Sequence, residues 1–263
     1  MSVQVQASAA VKGTPWQIRR QGDGEAILIL PGADGADGWA SIQAELAAHG
    51  QALLPSHPGF DGSPRPAWLD RVSDLANGYL ELIQTQGWGR VHLVGYGLGG
   101  WIAAEMAIRH SGALASLSLI TPQGIYVPDV ATVDVFLRTD EQLLRDTFHD
   151  PALAQTIWDQ PRSPEADEVA IRNKEVTARL TWQPRGYDLD LRKWLHRIAA
   201  PTQIVWGADD RILPVAYAEA WREAIPDARV VTLEACGHAP HLEQPARLGQ
   251  ALSSFLEQAR SVA

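Results

Sequence analysis

The sequence predicts an α/β protein in which helices flank a mostly parallel central sheet and a helical segment interrupts the strand pattern. Short apolar runs alternate with longer amphipathic stretches, which is the pattern of buried parallel strands covered by helices on both faces. This alternation stops at about residue 124, only helical segments follow, and it resumes near residue 196. We therefore expect a core formed by residues 1–124 and 196–263, and a helical cap, or lid, formed by residues 125–195.

Four strands are predicted in the first half of the chain. Residues 26–30 are a continuous apolar run that ends at Pro31 and Gly32, which predicts a buried central strand opening into a loop. Residues 57–66 are predicted to be a loop because proline and glycine prevent regular structure there. The other predicted strands are residues 52–55, 91–94 and 114–120, and the predicted helices are residues 39–49, 68–85 and 101–110.

The second half of the chain begins with the cap and ends with the last strands of the core. Helical spacing predicts cap helices over residues 132–148, 151–160 and 164–182. The core then resumes with predicted strands at residues 202–206 and 229–233, and with predicted helices at residues 216–224 and 245–258.

Composition restricts the class of partner. Of 263 residues, 46% are hydrophobic and 20% are charged, which is typical of a globular protein with a large core. A net charge of -9 without any run of Lys or Arg argues against nucleic acid or an anionic membrane, and favours a small organic ligand. Residues 1–16 lack the charged and apolar regions of a secretory signal, so a cytoplasmic location is expected.

Cysteine and acidic residues give no indication of a metal site or a cofactor. Cys236 is the single cysteine, so neither an intrachain disulfide nor a cysteine cluster can form. We expect Cys236 to be a small buried apolar residue, because nothing near it in the sequence would activate a thiol. Asp209, Asp210 and His238 lack the spacing of metal ligands on a helix or in a zinc finger.

The most informative segment is Gly95-Tyr96-Gly97-Leu98-Gly99, between a predicted strand and a predicted helix. It has the form of the G-x-S-x-G nucleophile elbow, with glycine at the central position where the serine would stand. A phosphate-binding loop is a minor alternative. No lysine follows the turn, and G-x-G-x-x-G fits only at a point too late in the chain for a first βαβ unit.

Five segments, in order, resemble the landmarks of the α/β-hydrolase fold family, with its esterases and C–C hydrolases, and they span most of the chain outside the cap. These segments are LPG (residues 30–32), HPGFDGSPRP (57–66), GYGLGGWIAAEMA (95–107), WGADDRILP (206–214) and CGHAPHLEQP (236–245). One such motif would be weak evidence, whereas five in the order of the family are specific. The resemblance implies the α/β-hydrolase fold.

The resemblance also implies catalytic roles. Asp210 occupies the position of the triad acid and His238 that of the triad base, with Gly97 at the nucleophile position. An aspartate at a strand end can fix the tautomer of a histidine in the neighbouring loop, which supports the pairing. Asp209 is the adjacent alternative for the acid.

The oxyanion hole implied by the resemblance consists of the backbone N–H groups of Leu98 and Ala33. Asp34 places a carboxylate beside it, which would weaken the binding of an anion. Candidate pocket residues are Asp34, Tyr96, Trp101, Trp158 and Trp182, taken from a chain with 10 tryptophans, most of which we assign to the core.

Two further histidines lie in loops near this set. His57 is a candidate for supporting the site from behind, and His241 is expected to be solvated.

Glycine cannot attack a carbonyl, so a covalent acyl-enzyme on residue 97 is excluded. One hypothesis is an enzyme in which His238, oriented by Asp210, acts as a general base on water or on a substrate C–H or O–H group. Its substrate would be a small, partly apolar carbonyl or ester-type molecule. A related hypothesis is a serine hydrolase inactivated by glycine at Gly97, and the alternative is a non-catalytic protein that binds a small ligand.

Overall fold

Eight strands are present in the computed structural model, which describes residues 4–7 and 11–262. They are β1 (Gln4–Ala7), β2 (Gln17–Gln21), β3 (Ala26–Leu30), β4 (Gln51–Pro55), β5 (Val91–Tyr96), β6 (Leu114–Ile120), β7 (Thr202–Gly207) and β8 (Arg229–Leu233). They form one sheet in the order β1-β2-β4-β3-β5-β6-β7-β8. The structure does not describe residues 1–3, 8–10 and 263. All of these belong to the predicted core. Residues 1–3 and 8–10 also belong to the N-terminal segment that is expected to lack a secretory signal.

The sheet is mostly parallel, which confirms the prediction. β1 pairs with β2 and β2 with β4 in antiparallel register, whereas every pairing from β4 through β8 is parallel. The two antiparallel strands at the edge were not predicted. In β2 only Ile18 is fully buried, so the segment shows neither an apolar run nor an apolar alternation.

Helices cover both faces of the sheet and fill the long connection between β6 and β7. They are α1 (Ala40–Leu46), α2 (Val72–Gln86), α3 (Leu98–Arg109), α4 (Asp140–Thr147), α5 (Pro151–Trp158), α6 (Pro164–Thr181), α7 (Leu191–Trp194), α8 (Ala216–Ala224), α9 (Pro240–Glu243) and α10 (Pro245–Val262). We call residues 121–201, which contain α4 to α7, the helical insert. Within the described part of the chain, no helix has the length and apolar content needed to cross a bilayer.

One predicted helix of the insert is wrong in its first half. The prediction covered residues 132–148, but α4 begins only at Asp140. The reason is a capping box at Thr139. Its hydroxyl accepts the N–H of Gln142 at 3.2 Å, and the Gln142 side chain accepts the N–H of Thr139 at 3.1 Å, so the helix starts there.

The core lies on both faces of the central strand β3, whose five residues are all buried. Leu28 and Leu30 pack in a cluster that includes α2 and α3, while Ile27 and Ile29 pack in a second cluster with α1 and α10. Alternate side chains of a strand point to opposite faces, and here both faces are covered. This explains why the segment is a continuous apolar run.

Parallel pairing places the carboxyl ends of β3, β5, β7 and β8 at one edge of the sheet. The segments that leave these ends carry Ala33, Gly97, Asp210 and His238 respectively. The residues singled out in the sequence thus meet at the edge where ligands bind in open α/β sheets.

Candidate active site

Gly97 is the turning point between β5 and α3. Its backbone has φ 52° and ψ -113°, in the region that favours glycine. The turn is held by hydrogen bonds on both sides. The N–H of Gly97 donates to Ile120 at 3.0 Å, and its carbonyl accepts from Trp101 at 3.1 Å and from Gln123 at 3.0 Å.

The glycines on either side of Gly97 are required by close packing, whereas Gly97 is not. A Cβ on Gly95 would lie 2.4 Å from the carbonyl oxygen of Gly99, and a Cβ on Gly99 would lie 2.1 Å from that of Leu30. A Cβ on Gly97 would have no described atom within 4 Å. The turn therefore has room for a side chain at position 97, and only the backbone conformation favours glycine there.

His238 and Asp210 form a buried pair. The Nδ1 of His238 lies 2.8 Å from Oδ2 of Asp210, and the aspartate side chain is fully buried. The other carboxylate oxygen, Oδ1, accepts the N–H groups of Ile212 and Leu213, each at 2.9 Å. The carboxylate can only accept from Nδ1, so Nδ1 carries the hydrogen and Nε2 carries the lone pair.

Asp209, the alternative acid, points elsewhere. Its Oδ2 lies 2.9 Å from Nδ1 of His149, a residue of the helical insert, and both side chains are more than two-fifths exposed. The structure therefore brings Asp210 to His238, whereas Asp209 contacts His149 at the surface.

The two N–H groups of the expected oxyanion hole lie at neighbouring strand ends. Leu98 is the first residue of α3, and Ala33 lies in a turn in which the N–H of Gly35 donates to the carbonyl of Gly32 at 3.2 Å. Among the described residues neither N–H has a hydrogen-bond partner. Donors held at a helix N-terminus and in a tight turn are suited to stabilising a developing negative charge.

His57 supports the loop that carries Ala33. It is fully buried, and its Nε2 lies 3.0 Å from the carbonyl oxygen of Pro31 while its Nδ1 lies 2.6 Å from the hydroxyl of Tyr79. Burial lowers the pKa of the His57 imidazole. A neutral ring that donates to Pro31 fixes the first peptide of the loop in place.

The prediction that His241 is solvated is wrong. His241 is 1% exposed and stacks on Trp39, with ring centroids 4.4 Å apart, and its ring lies 4.6 Å from that of Tyr96. Neither ring nitrogen has a hydrogen-bond partner among the residues that the structure describes, and Oδ2 of Asp34 is 3.7 Å from Nε2. The loop after β8 folds inward onto α1 and the elbow, which a local sequence pattern does not indicate.

Two candidate pocket residues lie close to His241, and one of them, Tyr96, also lies close to the dyad. The ring of Tyr96 lies 5.6 Å from that of His238, and burial raises the pKa of its phenol well above the usual value, with a smaller contribution from the carboxylates of Asp34 and Asp210. The side chain of Asp34 is half exposed.

The three tryptophans assigned to the pocket lie apart from each other. Trp101 has the contacts of a core residue: its Nε1 donates to Glu105 at 3.3 Å and its ring packs on Gly124. Trp101 is therefore buried in the core beside α3, and its role in a pocket stays a prediction. Trp158 and Trp182 are nearly half exposed on the helical insert.

Trp158 lines a surface cavity of about 410 Å³ between α4 and α5, with Leu144, Ala154 and Arg211 among its neighbours. Neither Gly97 nor His238 lines that cavity. Trp182 packs beside Phe136, and the guanidinium of Arg185 lies over its ring at 4.3 Å.

Cys236 is fully buried, as predicted. Burial, together with the nearby carboxylate of Glu243, raises the pKa of its thiol to about 12. A thiol with such a pKa supplies almost no thiolate near neutral pH, so Cys236 is not a candidate nucleophile.

Residues 25–245 match the family model for the alpha/beta hydrolase fold. The chain belongs to the α/β-hydrolase fold family. A crystal structure of a membrane phospholipase A superposes on this α/β hydrolase with a TM-score of 0.83 and 25% identity, covering 98% of this chain and 87% of that chain.

Curated relatives include esterase and C–C hydrolase homologues. This α/β hydrolase is 29% identical to the pimeloyl-(acyl-carrier protein) methyl ester esterase of Aromatoleum aromaticum, over 83% of this chain and 92% of that protein. It is 26% identical to the 2-hydroxy-6-oxo-6-phenylhexa-2,4-dienoate hydrolase of Comamonas testosteroni, over 90% of this chain and 89% of that protein.

Sequence reasoning missed the residues that support the candidate dyad and those that support His57. Glu243 accepts the N–H of Gly237, Thr147 accepts the N–H of His238, and Tyr79 binds the ring of His57. Glu243 lies in a segment that resembles a family landmark, CGHAPHLEQP, so the sequence could indicate its position but not its contacts. Thr147 acts through its carbonyl group, for which the sequence carries no signal.

Proposed function

We propose that this protein is an enzyme that hydrolyses a small, partly apolar carbonyl or ester-type molecule, with His238 as general base and without a covalent intermediate. The observation that supports this most is the His238–Asp210 hydrogen bond at 2.8 Å, in which the second oxygen of Asp210 is occupied by two backbone N–H groups. Such a dyad fixes the imidazole tautomer that can accept a proton at Nε2.

The proposed reaction uses water in place of the serine. His238 Nε2 takes a proton from water as the oxygen attacks the carbonyl carbon, and the N–H groups of Leu98 and Ala33 bind the resulting oxyanion. On collapse, the protonated imidazole returns the proton to the leaving alkoxide or carbanion. Because a Cβ on Gly97 would have no neighbour within 4 Å, the elbow has space for the attacking water.

The related esterase and dienoate hydrolase support the substrate class, since both names describe hydrolysis next to a carbonyl group. The helical insert is proposed to be the lid of the site. Tyr96 and Asp34 are proposed to line the pocket, because the ring of Tyr96 lies 5.6 Å from that of His238 and the carboxylate of Asp34 is close enough to raise the pKa of Tyr96.

A serine hydrolase inactivated by glycine at position 97 is a second candidate function, which the open space around a Cβ at that position also favours. The environment of Gly97 would accept the Cβ of serine without a clash, so Gly97→Ser would complete a triad on an intact dyad and oxyanion hole.

Hydrolysis of a short-chain aryl ester distinguishes the candidates. Four proteins are compared: the natural chain, Gly97→Ser, and each of these with His238→Ala. Our proposal expects slow turnover by the natural chain without a product burst, and loss of this turnover with His238→Ala. The dyad and hole together should give about 10³- to 10⁴-fold over the uncatalysed reaction, as when a triad lacks one member.

The other outcomes have definite meanings. If the natural chain does not exceed the buffer rate while Gly97→Ser shows a burst that needs His238, the protein is an inactivated serine hydrolase. If neither chain hydrolyses the ester and Gly97→Ser gains nothing, the site is not organised for acyl transfer, and a non-catalytic ligand-binding role replaces the proposal.

A further inference from the structure

The segment between α4 and α5 of the helical insert lies directly on the backbone that carries His238. The N–H of His238 donates to the carbonyl oxygen of Thr147 at 2.7 Å. The approach is so close at the preceding residue that a Cβ on Gly237 would lie 2.3 Å from the same oxygen. Only glycine can occupy position 237 while this contact is made.

Glu243 ties this segment to the His238 loop from the other side. Its Oε2 accepts the N–H of Gly237 at 2.5 Å, and its Oε1 accepts the N–H of Asp150 at 2.9 Å. One carboxylate thus joins α9, the loop of the base and the helical insert. Hydrogen bonds to a charged acceptor of this kind are roughly twice as strong as those between neutral groups.

Apolar packing completes the same junction. Phe148 and Ala154 of the helical insert form a small cluster with Ala239, the residue that follows His238, and this cluster is separate from the two main ones. The guanidinium of Arg211, next to Asp210, donates to the carbonyl of Phe148 at 3.4 Å. The α4–α5 segment therefore contacts the loops of both dyad residues.

We propose that Glu243 is a positioning residue for His238, and that residues 147–150 are a fixed support of the base. This inference rests on the proposed role of His238 as general base. The consecutive N–H groups of residues 237 and 238 are both held, one by Glu243 and one by Thr147, so the backbone from which the imidazole projects cannot rotate. Any opening of the helical insert for ligand entry must then leave residues 147–150 in place.

The test measures the hydrogen on Nδ1 of His238 directly, in the full chain with ¹⁵N-labelled histidine. The signal of this hydrogen is identified by its loss in His238→Ala. We expect Glu243→Ala to increase its exchange with solvent about ten-fold, as after loss of a hydrogen bond to a charged group. Glu243→Gln should give a smaller increase, because its amide has a single acceptor oxygen for the two N–H groups.

Glu257→Ala is the matched control, since Glu257 is exposed on α10 and, among the described residues, its one ionic contact is with His49, at 3.6 Å. It should leave the Nδ1 signal unchanged. If Glu243→Ala folds and keeps the exchange rate of the natural chain, the positioning role is wrong. If Glu243→Ala does not fold, the same exchange measurement is made on Glu243→Gln. An unchanged exchange rate of the Nδ1 hydrogen in Glu243→Gln would then overturn the proposal.

The spectroscopic result is independent of catalysis. Faster exchange in Glu243→Ala together with ester turnover that is insensitive to His238→Ala would uphold the positioning of His238 and reject its role as base. In the Gly97→Ser background we expect Glu243→Ala to lower kcat and leave KM nearly unchanged, since Glu243 binds the N–H of Gly237, next to the base, and is not among the residues proposed to line the pocket.

Discussion

The Nε2 of His57 donates to the carbonyl oxygen of Pro31 across 3.0 Å. A carbonyl can only accept, so the hydrogen lies on Nε2, and Nδ1 must accept from the hydroxyl of Tyr79 at 2.6 Å. The ring is therefore a neutral bridge from α2 to the loop of Ala33. The hydrogen bond from His57 to Pro31 thus fixes the orientation of the loop that carries Ala33, a proposed donor of the oxyanion hole. His57 does this without contacting a substrate.

Replacement of His57 should destabilise the protein more than replacement of its partner. His57→Leu leaves the carbonyl of Pro31 and the hydroxyl of Tyr79 unpaired inside the protein, at about 1–3 kcal/mol each. Tyr79→Phe leaves only Nδ1 of His57 unpaired. We expect the free energy of unfolding in urea to fall by roughly twice as much in His57→Leu, and equal losses would contradict the bridge.

The pKa shift of His57 predicts a loss of stability in mild acid. Burial lowers the pKa in the folded state, whereas the unfolded imidazole binds a proton near pH 6.5. Between these two pKa values the unfolded state holds more protons, so the free energy of unfolding rises with pH and falls as pH decreases below about 6.5. Urea unfolding between pH 7 and pH 5 measures this slope.

Three variants show which histidines cause this dependence of the free energy of unfolding on pH. The dependence should be weaker in His57→Gln, and also after removal of His92, whose pKa is lowered by burial as well. His110 is exposed, so His110→Gln should retain the full slope. A slope that is the same in all three variants would mean that these histidines do not control stability in this range.

Elements bounded by proline and glycine were predicted with their ends nearly correct. The strands at residues 26–30, 114–120 and 229–233 and the helix at residues 216–224 coincide with β3, β6, β8 and α8. Their apolar patterns are local and complete. By contrast, β2 depends on pairing with β4, and its sequence QIRRQ resembles a loop, so it became visible only in the structure.

The candidate site could be predicted as far as its landmarks extend. The segments of Asp210, His238 and Gly97 carry local signals, since strand ends and glycine turns determine them. Burial of His241 depends on Trp39, about two hundred residues earlier in the chain, and no local pattern encodes it. Support of His238 by Thr147 uses a backbone carbonyl, for which every residue type is equivalent.

Asp210 and Asp209 should differ sharply in their effect on ester hydrolysis. Asp210→Asn places an amide against Nδ1 and disfavours the tautomer with a free lone pair on Nε2, so kcat/KM should fall about 10³- to 10⁴-fold, as in a serine-protease triad. Asp209→Asn is the matched control, because in the part of the chain that the structure describes the ionisable side chain that Asp209 contacts is His149, away from His238. Comparable losses in the two variants, measured in the Gly97→Ser background, would reject the assignment of the acid.

Substitution at Gly97 should cost backbone strain alone. Gly97→Ala meets no described atom within 4 Å but has φ 52° and ψ -113°, a sparsely populated conformation for a residue with a Cβ, so we expect a loss of about 1–3 kcal/mol. Gly62, with φ 77° and no described atom within 4 Å of an added Cβ, is a control outside the site, and Gly62→Ala should also lose about 1–3 kcal/mol through backbone strain. Gly99→Ala should prevent folding, because its Cβ would lie 2.1 Å from the carbonyl of Leu30; thermal melts separate the three variants.

Replacement of His241 by an apolar ring should stabilise the protein. Both ring nitrogens of His241 are buried and have no hydrogen-bond partner within residues 4–7 and 11–262, and the ring is stacked on Trp39 at 4.4 Å. His241→Phe keeps the stacking and removes two unpaired polar atoms, whose burial costs about 1–3 kcal/mol each. We expect a higher midpoint of thermal unfolding for His241→Phe and a lower one for His241→Ala, which loses the ring. If His241→Phe lowers the midpoint, the interaction of Nε2 with Asp34 across 3.7 Å stabilises the fold by more than burial of the unpaired nitrogens costs.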